Sequence, residues 1–312
     1  MSLITKMSFF ENGLQAKIMS TELIIEANVS KKILFEGLDL AKEFESKYSA
    51  YRDDSLLCRI NQSSGIQPIQ CSVEDIDIFK RAYELAKLSN GLFDPTIGIL
   101  SQGTYGFGKK QSKIPSDNEL KRAKKLVDFN KLVIQNGEVY LTKKGMKLDL
   151  GGIGKGYIAD KIIEFLKKKG ATKALVSVGG EIAIFGKPYN IAIKNPFLDK
   201  SLGVIKTSKE PLSISTSGNY ERYIGSKENH HILDNLSAKP SQYYSSITIL
   251  QKGVDVTLLD AVATIAFNSV ESELIKIAKK FNVAIIAIDL DGEVYVKNFK
   301  NLDIQSFEMF CM

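Results

Sequence analysis

The chain has 312 residues, enough for one large domain or two closely packed ones. With 44% hydrophobic and 25% charged residues it has the composition of an ordinary globular protein, and no apolar stretch is long enough to span a membrane. The net charge of +6 is spread along the chain, with Lys167-Lys168-Lys169 the only dense basic run, which gives nucleic-acid binding little support and suits an anionic small ligand.

Residues 1–18 are read as an N-terminal extension, in which Met1-Ser2-Leu3 could be a cloning scar. Neither an apolar signal region nor a cysteine placed for lipid attachment is visible there. The sequence as it stands therefore predicts a cytoplasmic protein; the alternative is an exported or membrane-anchored one whose leader was removed. Cys58, Cys71 and Cys311 fit no metal spacing and no even disulfide set, so free thiols are expected.

Residues 19–29 predict a first strand, and Ser30 can cap a helix to about Tyr48. Tyr51 to Ser55 is a polar turn, and Ser55 caps a short helix ending near Asn61. Ser72-Val73-Glu74-Asp75 is a capping-box pattern opening a helix to about Ser89, closed by Asn90-Gly91. The segment from Gly91 to Gly108 mixes aromatics with glycines and shows little period, so it is either coil over the core or a binding loop for a flat ligand. Ser116 to Glu119 is a second capping box, and Asn136-Gly137 predicts a hairpin turn between 132–135 and 138–142.

Residues 148–160, Leu-Asp-Leu-Gly-Gly-Ile-Gly-Lys-Gly-Tyr-Ile-Ala-Asp, organise the reading. Leu148 to Leu150 predicts the end of a buried strand, followed by a glycine turn and a helix from Tyr157 to Lys169. Such a turn can aim backbone N–H groups at an anion. It is not the dinucleotide fingerprint, because Gly156 comes one place early, nor a P-loop, because Tyr157 follows Gly156. A tight turn with no ligand stays open on local pattern.

Beyond it, strands are expected at 174–178, 182–185, 190–194, 212–215 and 247–250, helices at 256–268 and 271–280, and a hairpin at 283–296 about Asp291-Gly292. Residues 301–312 are read as a C-terminal tail. The mixture of βα units and hairpins argues for an α+β fold. Asp260 and Thr264 stand at i and i+4 on a largely apolar helix and share one face. They form either an internally bonded pair or a hard-cation site. His230 and His231 are the only histidines. Ser-His-Asp hydrolysis is conceivable near Ser215 to Asn219, but no Gly-x-Ser-x-Gly elbow exists. A histidine with an ordinary pKa suits a general base.

Taken in order, these pieces resemble the ApbE family of FAD:protein FMN transferases. The resemblance runs from about Met19 to Asn268 and is carried by Met19-Ser20-Thr21, Ser55 to Asn61, Phe93-Asp94-Pro95-Thr96 with Tyr105-Gly106-Phe107, Asp149 to Asp160, Val178-Gly179-Gly180, Thr216 to Tyr220, His231 to Asp234 and Asp260 to Thr264. It implies an ApbE-type mixed α/β fold, one domain over 19–300, with sheets flanked by helices and FAD in a cleft between subdomains. It further implies that Met19, Tyr51, Thr104, Tyr105, Gly106, Asp149, Lys155 and Leu233 contact FAD, that Asp260, Thr264 and the Gly152 carbonyl hold Mg²⁺, and that His231 is the base.

The implied reaction moves FMN from FAD to a Thr or Ser hydroxyl of an acceptor flavoprotein and releases AMP. The rivals are an FAD pyrophosphatase and a flavin-binding protein without turnover. The chain departs from the family at Asp234-Asn235-Leu236-Ser237-Ala238-Lys239-Pro240, where Asp-Pro and then Thr-Gly are usual, which predicts a more flexible loop. Tyr105 stands where Trp is common. The family's acceptor motif, Ser or Thr followed by Gly-Ala-Thr/Ser, is absent, so the acceptor is expected in trans.

Overall fold

The computed structural model describes residues 7–310. Met1-Ser2-Leu3 and Cys311 lie outside the described residues; Cys58 and Cys71 are free thiols, as expected. The chain forms two compact units, one of Met1–Glu45, Gly154–Gly218 and Tyr244–Met312, the other of Ser46–Ile153 and Asn219–Tyr243. No described helix is long and apolar enough to cross a membrane.

The first unit is built on a nine-stranded sheet in the order Met7–Phe10, Gly13–Ile18, Thr21–Ala27, Ala174–Val178, Glu181–Phe185, Leu212–Gly218, Tyr244–Lys252, Ala284–Asp289 and Val294–Lys297. Every neighbouring pair in it is antiparallel. The expected strand over 19–29 shortens to Thr21–Ala27 because Met19 and Ser20 take φ of 50° and 62° and form the turn from the preceding strand. Residues read as an extension thus carry two strands. In Gly13–Ile18, Leu14, Ala16 and Ile18 alternate with less buried residues, the period of a half-buried strand.

The middle strands are apolar on both faces because both are covered. Ile184, Ile214, Leu250 and Ile286 pack against Ile191, Ile193, Leu202 and Ile205 of a small sheet ordered Ile304–Met309, Ser201–Thr207, Asn190–Lys194. The alternate residues Ile247, Ile249 and Ile285 are just as buried. The helices Gly154–Lys168 and Val256–Phe267 pack on each other and on the sheet's strands. The expected tail therefore supplies a paired strand, Ile304–Met309. Ser201–Thr207 was not foreseen, since Gly203 and Lys206 interrupt its apolar run.

The Gly154 helix begins three residues before Tyr157. Its close approach to the next helix needs Gly156: a Cβ there would stand 2.4 Å from the Val256 carbonyl oxygen. Asp160, one turn further on, accepts hydrogen bonds from the Val256 and Thr257 N–H groups and the Thr257 hydroxyl, capping the Val256 helix from outside.

In the second unit the predicted caps are present. Ser55 accepts from the Cys58 N–H and opens Leu56–Gln62. Ser72 with Asp75 forms a capping box for Val73–Leu88, and Ser116 with Glu119 one for Asp117–Lys124. Asn136 and Gly137, with φ of 52° and 75°, turn the hairpin between Leu132–Gln135 and Glu138–Leu141. The segment after Gly91 holds one wide helical turn, Ile99–Thr104.

The expected strand end at Leu148 to Leu150 is not formed. Its backbone bonds are met otherwise: the Asn61 side chain accepts from the Leu148 N–H at 2.6 Å and donates to its carbonyl at 3.0 Å, and the Asp149 N–H donates to the Pro95 carbonyl. A buried side-chain amide has taken the place of a neighbouring strand. The motif Phe93-Asp94-Pro95-Thr96 has a similar structural use. The buried Asp94 carboxylate receives the Thr96 N–H and hydroxyl and the Phe129 N–H.

Candidate active site

Three ionisable side chains converge in the first unit. Lys155 lies in the first turn of the Gly154 helix, Glu181 opens the strand after the Gly179-Gly180 turn, and Asp260 projects from the Val256 helix. The Lys155 ammonium is bonded to Glu181 Oε1 and lies 3.5 Å from Asp260 Oδ1, while Asp260 Oδ2 accepts the Gly156 N–H at 3.1 Å. Burial alone would depress the lysine, but the Asp260 and Glu181 carboxylates outweigh it and raise its pKa. Glu181 is completely buried, and burial pushes its carboxyl well up despite the lysine, with Asp260 adding to the rise.

Thr264, one turn beyond Asp260, donates its hydroxyl to the Asp260 carbonyl at 3.4 Å, so these two predicted metal ligands do share a helix face. Carboxylate and hydroxyl oxygens are donors that hard divalent cations take. Glu181 Oε2 is buried beside them without a hydrogen-bond partner. The donor set fits Mg²⁺. No local pattern in the sequence marks Glu181, because its partners lie 26 and 79 residues away. Met19, also in this unit, donates its N–H to Glu45.

The second unit holds Tyr51, Thr104, Tyr105, Gly106, Asp149, Gly152, His231 and Leu233. The Tyr51 hydroxyl donates to the Phe107 carbonyl at 2.9 Å and accepts from Arg222 Nη1 at 3.2 Å. Burial raises the Tyr51 pKa, the Asp149 charge adds to that, and Arg222 opposes it. The Arg222 carbonyl in turn accepts from His231, from the backbone N–H and from ring Nδ1, each at 3.0 Å. A carbonyl can only accept, so Nδ1 carries the proton and the ring lone pair sits on Nε2. Arg222 is a second residue the sequence reading did not single out.

His230 is placed differently. It is fully buried, its Nε2 donates to the Ser241 carbonyl at 2.7 Å and its Nδ1 accepts the Ile232 N–H at 3.2 Å. Both ring nitrogens are committed, and burial lowers the pKa, so this ring is a neutral brace.

Asp149 accepts the Gly151 N–H at 2.7 Å and the Ser101 hydroxyl. Tyr51, Asp53, Gln102, Lys109, Lys110 and Lys147 line a groove of about 460 Å³. An aromatic ring among lysines suits a flat anionic ligand. Tyr105 and Leu233, by contrast, are almost wholly buried and pack in one cluster with Leu100, Phe107 and Ala238. The Tyr105 ring stacks on Phe107 with centroids 5.1 Å apart, and burial pushes its hydroxyl up to about 12. Thr104 donates to the Ile99 carbonyl, and Gly106 takes φ of 70°.

The loop expected to be flexible is hydrogen-bonded throughout. Asp234 accepts the Leu236 and Ser237 N–H groups, the Asp234 N–H donates to Lys239 and that of Ala238 returns to the Asp234 carbonyl. Asn235 donates to the Gly91 and Leu92 carbonyls.

Similarity to known proteins runs over most of the chain. The ApbE family model matches residues 18–288. An FAD:protein FMN transferase of Treponema pallidum is 30% identical over 258 residues, covering 75% of this chain and 70% of that protein. One from Vibrio cholerae is 30% identical over 235 residues, covering 72% and 70%. Among solved structures, the ApbE protein of Thermotoga maritima superposes with a TM-score of 0.83 at 26% identity over 93% of this chain and 98% of that one. The flavin transferase ApbE of Vibrio cholerae gives 0.80 at 26% identity over 94% and 98%.

Proposed function

The chain belongs to the ApbE family of flavin transferases, and from that premise we propose that it transfers FMN from FAD to a Thr or Ser hydroxyl of an acceptor protein, with Mg²⁺ as cofactor. The acceptor oxygen forms a bond to the phosphorus on the FMN side of the pyrophosphate. The bond from that phosphorus to the AMP oxygen breaks, AMP departs, and the flavin stays joined through a phosphodiester.

One observation carries the chemical part: His231 is anchored through Nδ1 to the Arg222 carbonyl and keeps its lone pair on Nε2. An unactivated hydroxyl is a weak nucleophile, so Nε2 takes its proton as the new bond forms. The fixed Nδ1 bond holds the ring in the tautomer that this step needs. Met19, Tyr51, Thr104, Tyr105, Gly106, Asp149, Lys155 and Leu233 are the residues assigned to FAD. For the nearly buried Tyr105 and Leu233, their packing supports a role in shaping the wall of the site.

Asp260, Thr264 and the Gly152 carbonyl would hold Mg²⁺. When bound, that ion supplies neutralisation of charge developing on the phosphate oxygens. The protein's own share is to hold the pyrophosphate in line and bring the hydroxyl within bonding distance, an effect that can match the acid–base contribution in size.

The test is to incubate the protein with FAD, Mg²⁺ and a candidate acceptor domain. Covalent flavin on the acceptor, abolished by His231→Ala and by Asp260→Ala, supports transfer. FMN and AMP released without an acceptor indicate hydrolysis, and FAD bound but unchanged indicates a carrier.

A further inference from the structure

We propose that the loop tip at Leu236 and the basic helix face beside it form the surface on which the acceptor protein docks, selecting acceptors that offer an apolar hollow rimmed by acids. The inference deepens the proposed transfer reaction and rests on His231 being the group that the acceptor hydroxyl must reach.

The loop is a braced arm that starts at the base. Beyond His231 the chain runs out and back as a hairpin. The Ser241 N–H donates to the Ile232 carbonyl, Leu233 bridges to Pro240, and the Asp234 N–H donates to the Lys239 carbonyl. The Asp234 carboxylate closes the tip by accepting the Leu236 and Ser237 N–H groups. On that tip the Leu236 residue is 70% exposed. A large apolar side chain on a fixed backbone loses little freedom when a partner covers it, which suits it to anchor an interface.

Cations stand beside this anchor. The helix Asp117–Lys124 buries Leu120 and Ala123 in one cluster with Leu233 and Ala238 of the same loop. Lys121, Lys124 and Lys125 stand at i, i+3 and i+4 and share a helix face. Lys124 joins that face to the loop by donating to the Leu236 carbonyl. Two acids of the helix are already engaged, Asp117 with Lys239 and Glu119 with Lys113. Lys121 and Lys125 are exposed and make no ion pair among the described residues.

Five residues separate Leu236 from His231, at most about 18 Å of chain. A specific interface covers about 800 Å² on each partner, a patch of about 16 Å radius. An acceptor seated over His231 therefore extends to the loop tip, and unpaired lysines there favour an acidic partner surface.

Leu236→Ser removes the anchor, and Lys121→Glu/Lys125→Glu reverses the charge beside it. Neither variant alters a residue assigned to FAD, Mg²⁺ or proton transfer. The probe is a folded domain from the same genome that carries Ser or Thr followed by Gly-Ala-Thr/Ser. Its flavinylation is followed against its concentration, and FAD affinity is read from quenching of flavin fluorescence. Circular dichroism confirms that each variant is folded.

Each variant is expected to raise the acceptor KM about tenfold, with kcat and FAD affinity within about twofold of wild type. Added salt should raise the wild-type KM and leave that of the lysine variant nearly unchanged. An unchanged acceptor KM in either variant overturns the proposal while leaving the transfer reaction intact. A fall in kcat or FAD affinity without a rise in acceptor KM overturns it too, since the loop would then support the catalytic site. If Leu236→Ser alters the protein's own sedimentation and not the acceptor KM, the patch binds a second copy of this chain, and the proposal fails. If wild type labels no such domain, the transfer reading itself fails and this inference falls with it. Should one variant fail to fold, the other decides alone.

Discussion

Replacing Gly156 by alanine tests the contact on which the first unit's site is built. In an unconstrained helix the change would stabilise by up to about 1 kcal/mol, because glycine is the poorer helix former. Here the new Cβ would stand 2.4 Å from the Val256 carbonyl oxygen, 2.7 Å from its carbonyl carbon and 2.9 Å from the Thr257 Cα. All three are backbone atoms of the neighbouring helix, so no side-chain rotation relieves the clash and one helix must move by about an ångström to regain ordinary contact. Overpacking of this kind costs about 1–3 kcal/mol or more, which outweighs the propensity gain. The shift would also pull the Gly156 N–H from Asp260. Gly37 is the control: an alanine there meets only the Ile25 and Ile162 side-chain tips, at 3.1 and 3.6 Å. Urea unfolding should show Gly156→Ala destabilised by about 2 kcal/mol and Gly37→Ala within about 0.5 kcal/mol of wild type or more stable. Equal stability of Gly156→Ala and wild type would refute the close-approach argument.

Asp160 makes stability depend on pH in an unusual direction. Burial pushes its carboxyl up to about 6 against three hydrogen bonds that pull it down, so its contribution is fully present below the unfolded value near 3.8 and is lost as pH rises through about 6. That difference is worth about 3 kcal/mol. The stability of wild type relative to the non-titrating Asp160→Asn should fall from pH 4 to pH 7 in urea melts; a pH-independent difference contradicts the assignment. Asn61→Ala removes its two bonds to Leu148, orphaning the N–H and leaving the carbonyl only the Gln102 amide at 3.4 Å, and is expected to cost about 2–4 kcal/mol, read as a lower thermal midpoint, with little loss expected if another strand carried that backbone. The two histidines should separate cleanly: His230→Phe lowers thermal stability through the Ser241 and Ile232 bonds, whereas His231→Ala lowers turnover with little change in the midpoint. Gly152→Val should weaken Mg²⁺-dependent FAD turnover, and normal turnover in that variant would count against its carbonyl as a ligand.

Local chemistry made much of this fold readable. The Ser72 and Ser116 capping boxes and the Asn136-Gly137 turn depend on residues within a few positions of one another, and all three formed as the pattern predicts. The Leu148 to Leu150 segment looked like a strand because its composition is that of one, yet its hydrogen bonds go to a side chain 87 residues earlier, which no window can see. The same limit hid Glu181 and Arg222, whose meaning comes from Lys155 and from Tyr51 and His231. Asp260 and Thr264 were legible because a helix puts i and i+4 on one face. His230 and His231 are adjacent in sequence, and only their separate hydrogen bonds show which of them is a brace.

The central claim is that this chain moves FMN onto a protein hydroxyl with His231 as base. Its most direct test is the mass of a candidate acceptor domain after incubation with FAD, Mg²⁺ and either wild type or His231→Ala. The account predicts an acceptor heavier by one phosphodiester-linked FMN with wild type and an unmodified one with the variant. An acceptor modified equally by both proteins would contradict it.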